Sequence, residues 1–554
     1  MIKNILCCLF LVVGTAVFAQ SYEEKFYVAD SLVYASTDSI ANAKKGYQLY
    51  KELYKEVPEQ MTFWYLYDLA YAANKFKDEE KGFYWLRKAL EHYKEKDANY
   101  LIDEDAKSDF YNLIELPEWS VFEREVSIKV SDYIAEIKNN QQHFIQSGLG
   151  NINQLKAKKA KSLYKKIGAF NSYPEIPSEV FGYIQLDSIE DNFFARIPSA
   201  YNPKIPSKVL FFLNGAVRYQ EIPTYPTAEL EENWQRFYKI YAEKYNVIMV
   251  YPNCNKQYNW MLGDKGFAIV PKVLRELKKF VNIDDNQVYV TGHSNGATGS
   301  FNYAMKNPNK FAGFYGMNTQ PKVYTGGTFL KNLSNRSFYN ISTDQDYYFP
   351  PKANDTLMSL TKNLQLNYQD NRYNGFPHWF PQFDTSEVAI KRIFKDLITK
   401  KRNPYPAEIY WECDDVNYGK VDWLSITELD TLQQQKKWHQ KVNFNIHEKL
   451  MYNKEDSLVV KKVLEKAFYF PRKSGAVKAS FHNNRFDLET SRVEELTIYI
   501  SPEMVNMKKP ISVFVNGEQV YNKRIRYNKD FILANFMDYY DRKTLWVNEI
   551  KLKL

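Results

Sequence analysis

The chain has 554 residues, more than one hydrophobic core organises, and 45% hydrophobic with 16% aromatic residues supplies material for two to four domains. Its 74 basic and 66 acidic residues give a net charge of +8 scattered in both signs, without the concentrated basic stripe that a nucleic-acid surface needs. Glycine is scarce (21) and tyrosine abundant (44), which excludes fibrous and low-complexity classes.

The N-terminus reads as a secretory signal over residues 1–19. Lys3 supplies the positive start, Ile5 to Val13 the apolar run, and Val17-Phe18-Ala19 the small residues that a signal peptidase reads, leaving Gln20 first in the mature chain. The run is too short to span a bilayer, and no other long apolar segment follows, so a secreted or periplasmic protein without a membrane span is expected. Beyond the signal only Cys254 and Cys413 remain; they fall in different predicted domains and are expected as two separate thiols. No cysteine and histidine spacing suggests a metal site.

Residues 20–170 read as an α-helical domain. Trp64, Tyr67, Tyr71, Phe83, Leu86, Ala89 and Leu90 recur at helical spacing, with a turn near Asn74–Lys77. Ala43, Tyr47 and Tyr50 recur 39 residues later as Gly82, Leu86 and Ala89. That resembles the helix pairs of tetratricopeptide repeats at a longer period, and such repeats could hold a protein partner; a plain helical domain fits as well.

Residues 171–402 change texture. Val209–Leu213, Val247–Tyr251, Val288–Thr291, Phe311–Met317, Ser337–Ile341 and Leu366–Tyr373 read as strands, alternating with helical stretches such as Phe267–Val281. Apolar strands alternating with helices predict a doubly wound parallel sheet covered on both faces. After the charged, proline-marked linker at Lys400–Pro406, residues 403–554 read as a mainly β, sandwich-like domain. Val477–Phe481, Val493–Ile500 and Ile511–Val515 are its strands, and Asn516-Gly517 is a two-residue hairpin signal. The charged stretch Asp430–Tyr469 reads as a partly helical excursion.

The chemistry concentrates in the middle domain. Strand Val288–Thr291 runs directly into Gly292-His293-Ser294-Asn295-Gly296 and then a helix to Met305, the setting of a serine nucleophile on a sharp turn. A serine needs a histidine base held by a carboxylate. Of the seven histidines, His92 and His143 fall in the helical domain, and His439, His447 and His482 in the C-terminal one. His293 adjoins the nucleophile and cannot fold back onto it, so His378, in the loop after the last strand, remains. The acid should follow strand Ser337–Ile341, where Asp344 and Asp346 both qualify; Asp346 is preferred, with Asp344 as the alternative, because Pro350 follows it four residues on, as a proline commonly does in sequences that this one resembles. The second requirement is an oxyanion hole, two backbone N–H groups expected from Asn295 and from Ala216 in the turn Asn214-Gly215-Ala216.

Residues from about 190 to 400 resemble the α/β-hydrolase esterases of the polyhydroxybutyrate depolymerase and feruloyl esterase group. The likeness rests on Phe194 to Pro203 before the oxyanion turn, on Tyr258-Asn259-Trp260, and on Ile283 to Gly296 around the nucleophile. Asn214 stands where that group usually has histidine. The resemblance implies cleavage of a small-molecule or polysaccharide-linked ester without cofactor or metal, with Tyr258, Trp260 and Trp379 as candidate pocket residues. A serine peptidase of the prolyl-oligopeptidase kind, or an inactive scaffold acting through its helical repeats, are the alternatives.

Overall fold

The computed structural model describes residues 21–35, 39–187, 189–218, 223–227, 232–261, 266–322, 326–455 and 457–554; the predicted signal lies outside the described residues. The chain divides into two compact units, residues 1–136 with 227–229 and residues 137–226 with 230–554.

The first unit is helical. Consecutive helices α1 (Tyr22–Val33), α2 (Ile40–Glu56), α3 (Phe63–Lys75) and α4 (Glu79–Leu90) pack on one another. Each begins on a side-chain cap that satisfies one otherwise unpaired backbone N–H: Ser21, Ser39, Thr62 and Asp78 respectively. The residues related by the 39-residue interval, Ala43, Tyr47 and Tyr50 on α2 and Gly82, Leu86 and Ala89 on α4, are all buried. Gly82 has a packing reason: a Cβ there would lie 2.8 Å from Cδ1 of Leu113. Asp68 on α3 is buried and accepts hydrogen bonds from the hydroxyls of Tyr34 at 2.6 Å and Tyr50 at 3.2 Å.

The second unit is built on an eight-stranded sheet. Its strands are β1 (Glu179–Leu186), β2 (Ile189–Arg196), β3 (Ser207–Leu213), β4 (Val247–Pro252), β5 (Ile283–Gly292), β6 (Gly313–Met317), β7 (Phe338–Gln345) and β8 (Tyr368–Pro377). They lie in the order β1-β2-β4-β3-β5-β6-β7-β8, parallel from β4 through to β8 in that order, with β1 and β2 antiparallel at the edge. The six expected strands correspond to β3–β8, and the edge hairpin β1–β2 makes the sheet mixed.

Side chains alternate between two covered faces, as strand geometry dictates. Val209, Phe211, Val288 and Val290 join Val273, Leu277 and Phe301 in one core. Leu210, Phe212, Tyr289 and Tyr315 join Tyr238, Ala389 and Ile393 of helices Glu232–Tyr245 and Ser386–Leu397 in the other. Each fully buried aliphatic side chain contributes about 1.5–3 kcal/mol. The result is a mixed, mainly parallel sheet covered on both faces, which sets the C-terminal ends of β5, β6, β7 and β8 side by side.

Within the same unit the C-terminal part forms a sandwich. One sheet runs Lys420–Val421, Leu424–Glu428, Glu495–Ile500, Asn548–Lys553; the other runs Glu518–Lys523, Ile511–Val515, Arg485–Ser491, Gly475–His482, Glu408–Cys413. Both sheets feed one core containing Trp411, Trp423, Val477, Ile498 and Val513. Asn516 and Gly517 take φ of +52° and +93° at the predicted hairpin turn. The stretch expected to be partly helical differs: Asn445–Tyr452 and Leu458–Lys466 pair as an antiparallel hairpin, and no helix occurs among the described residues of 430–469. In this two-stranded ribbon Lys461, Lys462 and Lys466 are exposed, and so are Val459, Val460 and Leu464, so the apolar alternation of a core strand is absent.

Candidate active site

Ser294 stands between β5 and the helix Asn295–Lys306, with φ +57° and ψ −120°. That conformation is strained for any residue with a side chain and persists only where neighbours hold it. Ser294 N–H donates to the carbonyl of Met317 at the end of β6 at 3.1 Å, and Gly296 N–H donates to His293 at 2.9 Å. The two flanking glycines are required by space. A Cβ on Gly292 would sit 2.4 Å from the carbonyl carbon of Gly296, and one on Gly296 would sit 1.8 Å from the oxygen of Leu213. The turn can therefore press against the end of β3 only because both lack side chains.

The turn after β3 passes directly over the serine. A Cβ built on Gly215 would lie 3.1 Å from Cβ of Ser294 and 3.7 Å from its Oγ. Ala216 follows with φ +53°. Neither Ala216 N–H nor Asn295 N–H has a hydrogen-bond partner among the described residues, so both expected donors are uncommitted. Behind the turn, the buried thiol of Cys254 donates weakly to the side-chain oxygen of Asn214 at 3.6 Å. Cys254 and Cys413 are both buried and not joined to each other, and burial pushes both thiols up from their ordinary range.

The structure joins His378 to Asp346. Nδ1 of His378 lies 2.8 Å from Oδ2 of Asp346, and both side chains are buried. Asp346 also accepts from Nδ2 of Asn318 at 2.8 Å and from the N–H of Phe349 at 2.8 Å, so its carboxylate is held from three sides. Asp344 is exposed and accepts from the N–H of Gly375 at 2.8 Å, where it braces the end of β8. With Nδ1 turned to the carboxylate, Nε2 is the ring nitrogen left for proton transfer. His439 is buried between Glu412 at 2.9 Å and Ser491 at 3.0 Å, in the C-terminal sandwich.

An aromatic surround encloses the His378 ring. Tyr348 and Phe349 each lie at 5.0 Å centroid distance, Trp379 at 5.3 Å, and the His293 ring at 4.8 Å. Trp379 is half-buried beside His378, and Tyr258 is half-buried against the core. Trp260 is fully buried, and a Cβ on Gly299 would meet its Cδ1 at 2.4 Å. It packs against Gly299 of the helix Asn295–Lys306.

Three participants carried no signal of their own in the sequence. Asn318, Tyr348 and Phe349 reach the pair only through the ends of β6 and β7. His293 is a fourth residue of interest, since its Nε2 donates to the carbonyl oxygen of His378 at 2.9 Å. Burial, and then the adjacent His378 ring, hold His293 well below the ordinary imidazole range, so it is neutral.

No family model and no curated protein matches the chain. Among solved structures it is similar to a thermostable esterase, at 18% identity over 41% of this chain and 64% of that one, with TM-score 0.33. It is also similar to the S-formylglutathione hydrolase of Staphylococcus aureus, at 14% identity, 39% and 99% coverage and TM-score 0.30. A third is a ferulic acid esterase, at 15% identity, 40% and 96% coverage and TM-score 0.32. Likeness of this degree fixes neither activity nor substrate.

Proposed function

We propose that the chain is a serine hydrolase that cleaves carboxylic esters through an acyl-enzyme, with Ser294 as nucleophile, His378 as base and Asp346 as its orienting acid. What supports this reading is a strained serine at the end of β5 and a buried aspartate–histidine hydrogen bond of 2.8 Å after β7 and β8, with His293, the residue before the serine, bonded to the carbonyl of His378.

In this reading Oγ of Ser294 attacks the ester carbonyl while Nε2 of His378 takes its proton. Asp346 stabilises the imidazolium that forms and holds the tautomer, remaining ionised itself. Negative charge develops on the carbonyl oxygen, and the N–H groups of Asn295 and Ala216 receive it; one such donor is worth about 10²–10³ in rate. The imidazolium protonates the leaving alcohol, and water, activated by the same base, releases the acid. Trp379, Tyr348 and Tyr258 offer flat surfaces suited to a sugar or phenolic group on the ester, which points to carbohydrate- or polymer-linked acyl groups. The apolar start of the chain supports secretion, and the 39-residue interval supports a tetratricopeptide-like helical unit able to hold a protein partner.

Burst kinetics test the acyl-enzyme. With a p-nitrophenyl ester, a stoichiometric burst of p-nitrophenol followed by slower turnover is expected. A panel of acyl esters, acetylated xylan, feruloylated sugars and proline peptides then separates ester from peptide cleavage. Hydrolysis of the proline peptides alone would replace the esterase reading.

A further inference from the structure

Away from Ser294, the junction of the eight-stranded sheet with the C-terminal sandwich encloses a cavity of about 140 Å³. Lys310 and Lys420 line it on opposite parts of the chain, with Arg402, Asp422, Asp541 and Tyr539. Both ammonium groups stand over the one ring of Tyr539, at 4.3 and 4.9 Å from its centroid. We propose that this cavity binds a tetrahedral oxyanion of the phosphate or sulfate class, free or carried on a small sugar, between Lys310 and Lys420.

The charge bookkeeping leads there. Both carboxylates of the lining are already committed: Asp422 to Arg336 at 2.6 Å, and Asp541 to Arg402 at 2.8 Å. Lys310 and Lys420 have no carboxylate within 4.0 Å among the described residues. The groups standing closest to them are aromatic, Tyr539 for both and Tyr499 at 4.0 Å from Lys420, while Asp541 acts on both lysines, and Asp538, Glu549 and Asp422 on Lys420, without forming an ion pair. Cation–π contact recovers about 0.5–2 kcal/mol, less than the hydration that an enclosed ammonium gives up. Two like charges held in one cavity repel each other and disfavour the charged forms, and a dianion between them reverses both effects. Consistent with that, burial first and neighbouring cations next lower Lys310 to about 7, and burial lowers Lys420 to about 8. Thr544, which also lines the cavity, has a buried Oγ1 with no hydrogen-bond partner, a donor without an acceptor. At roughly 30 Å³ per water the space holds about four or five waters, enough for one oxyanion with part of its hydration.

Titration calorimetry on the full chain at low ionic strength tests this, with inorganic phosphate, inorganic sulfate and glucose 6-phosphate in separate arms. One site per chain is expected. Tighter binding of glucose 6-phosphate identifies a sugar-borne group, and equal binding identifies the free ion. The K310Q/K420Q variant should bind at least ~10-fold more weakly, and K310R/K420R should keep most of the affinity because the charge returns. A second measurement needs no variant: sulfate should protect Lys310 and Lys420 of the native chain from acetylation at pH 7.5, read peptide by peptide. No binding in any arm, unchanged affinity in K310Q/K420Q, or unprotected lysines under saturating sulfate would each overturn the proposal.

Discussion

The ring of His293 donates through Nε2 to the carbonyl oxygen of His378 at 2.9 Å, tying the residue before Ser294, the proposed nucleophile, to the residue proposed as its base. Because His293 is held neutral by burial, this bond persists across the working range of pH and positions the His378 loop without competing for protons. His293→Phe keeps the ring volume and removes the donor. A fall in kcat of about tenfold with KM unchanged is expected, the equivalent of one hydrogen bond of ~1.4 kcal/mol. Steady-state kinetics read both constants, and an unchanged kcat would remove His293 from the account.

Asp346 and Asp344 are two residues apart and have different surroundings. Asp346→Asn keeps the shape of the side chain and loses the charge that orients His378, so kcat should drop by roughly 10⁴ with the fold intact. Asp344→Asn should leave kcat within about twofold, since that carboxylate only accepts from Gly375. The reverse ranking in ester hydrolysis would exchange their roles.

Gly296 has no room for a methyl group. Gly296→Ala places a Cβ 1.8 Å from the oxygen of Leu213, so the turn must open away from β3. A loss of at least ~2 kcal/mol of stability is expected, together with loss of ester hydrolysis. Thermal unfolding with parallel activity assays checks both, and a variant of unaltered stability would contradict the packing of the turn.

The helical unit should respond to pH through Asp68. Burial, first of all, raises Asp68 from 3.8 to about 6, so the folded state binds a proton more readily than the unfolded chain. The sign follows: stability is greatest below about pH 4 for this group and declines as pH rises through about 6, by up to about 3 kcal/mol. Hydrogen exchange of the α3 backbone should therefore slow on acidification from pH 7 to 5, after correction for intrinsic rates. Asp68→Asn should abolish that slope.

The six parallel strands and the serine turn were legible because their signal is local. Val209–Leu213 and Val288–Thr291 are continuous apolar runs, and Gly292 and Gly296 are steric necessities that a short motif records. The edge hairpin β1–β2 was not read as strands because Glu179, Gln185 and Glu190 interrupt its pattern at an edge exposed on one side. The ribbon Asn445–Lys466 escaped for a related reason, since a two-stranded ribbon needs few apolar positions. The partners of Asp346 depend on tertiary approach: Asn318 is an ordinary loop residue until β6 and β7 lie side by side. The burial of Trp260 likewise depends on tertiary approach, since it is Gly299 that leaves room for its ring.

The account stands or falls on whether Ser294 is a reactive nucleophile. A fluorophosphonate probe on the full chain, followed by peptide mass mapping, measures this directly. One adduct on the peptide containing Ser294, absent in Ser294→Ala and much slower to form in His378→Ala, is the expected result. No adduct on the folded wild-type chain, or equal labelling of Ser294→Ala, would contradict it.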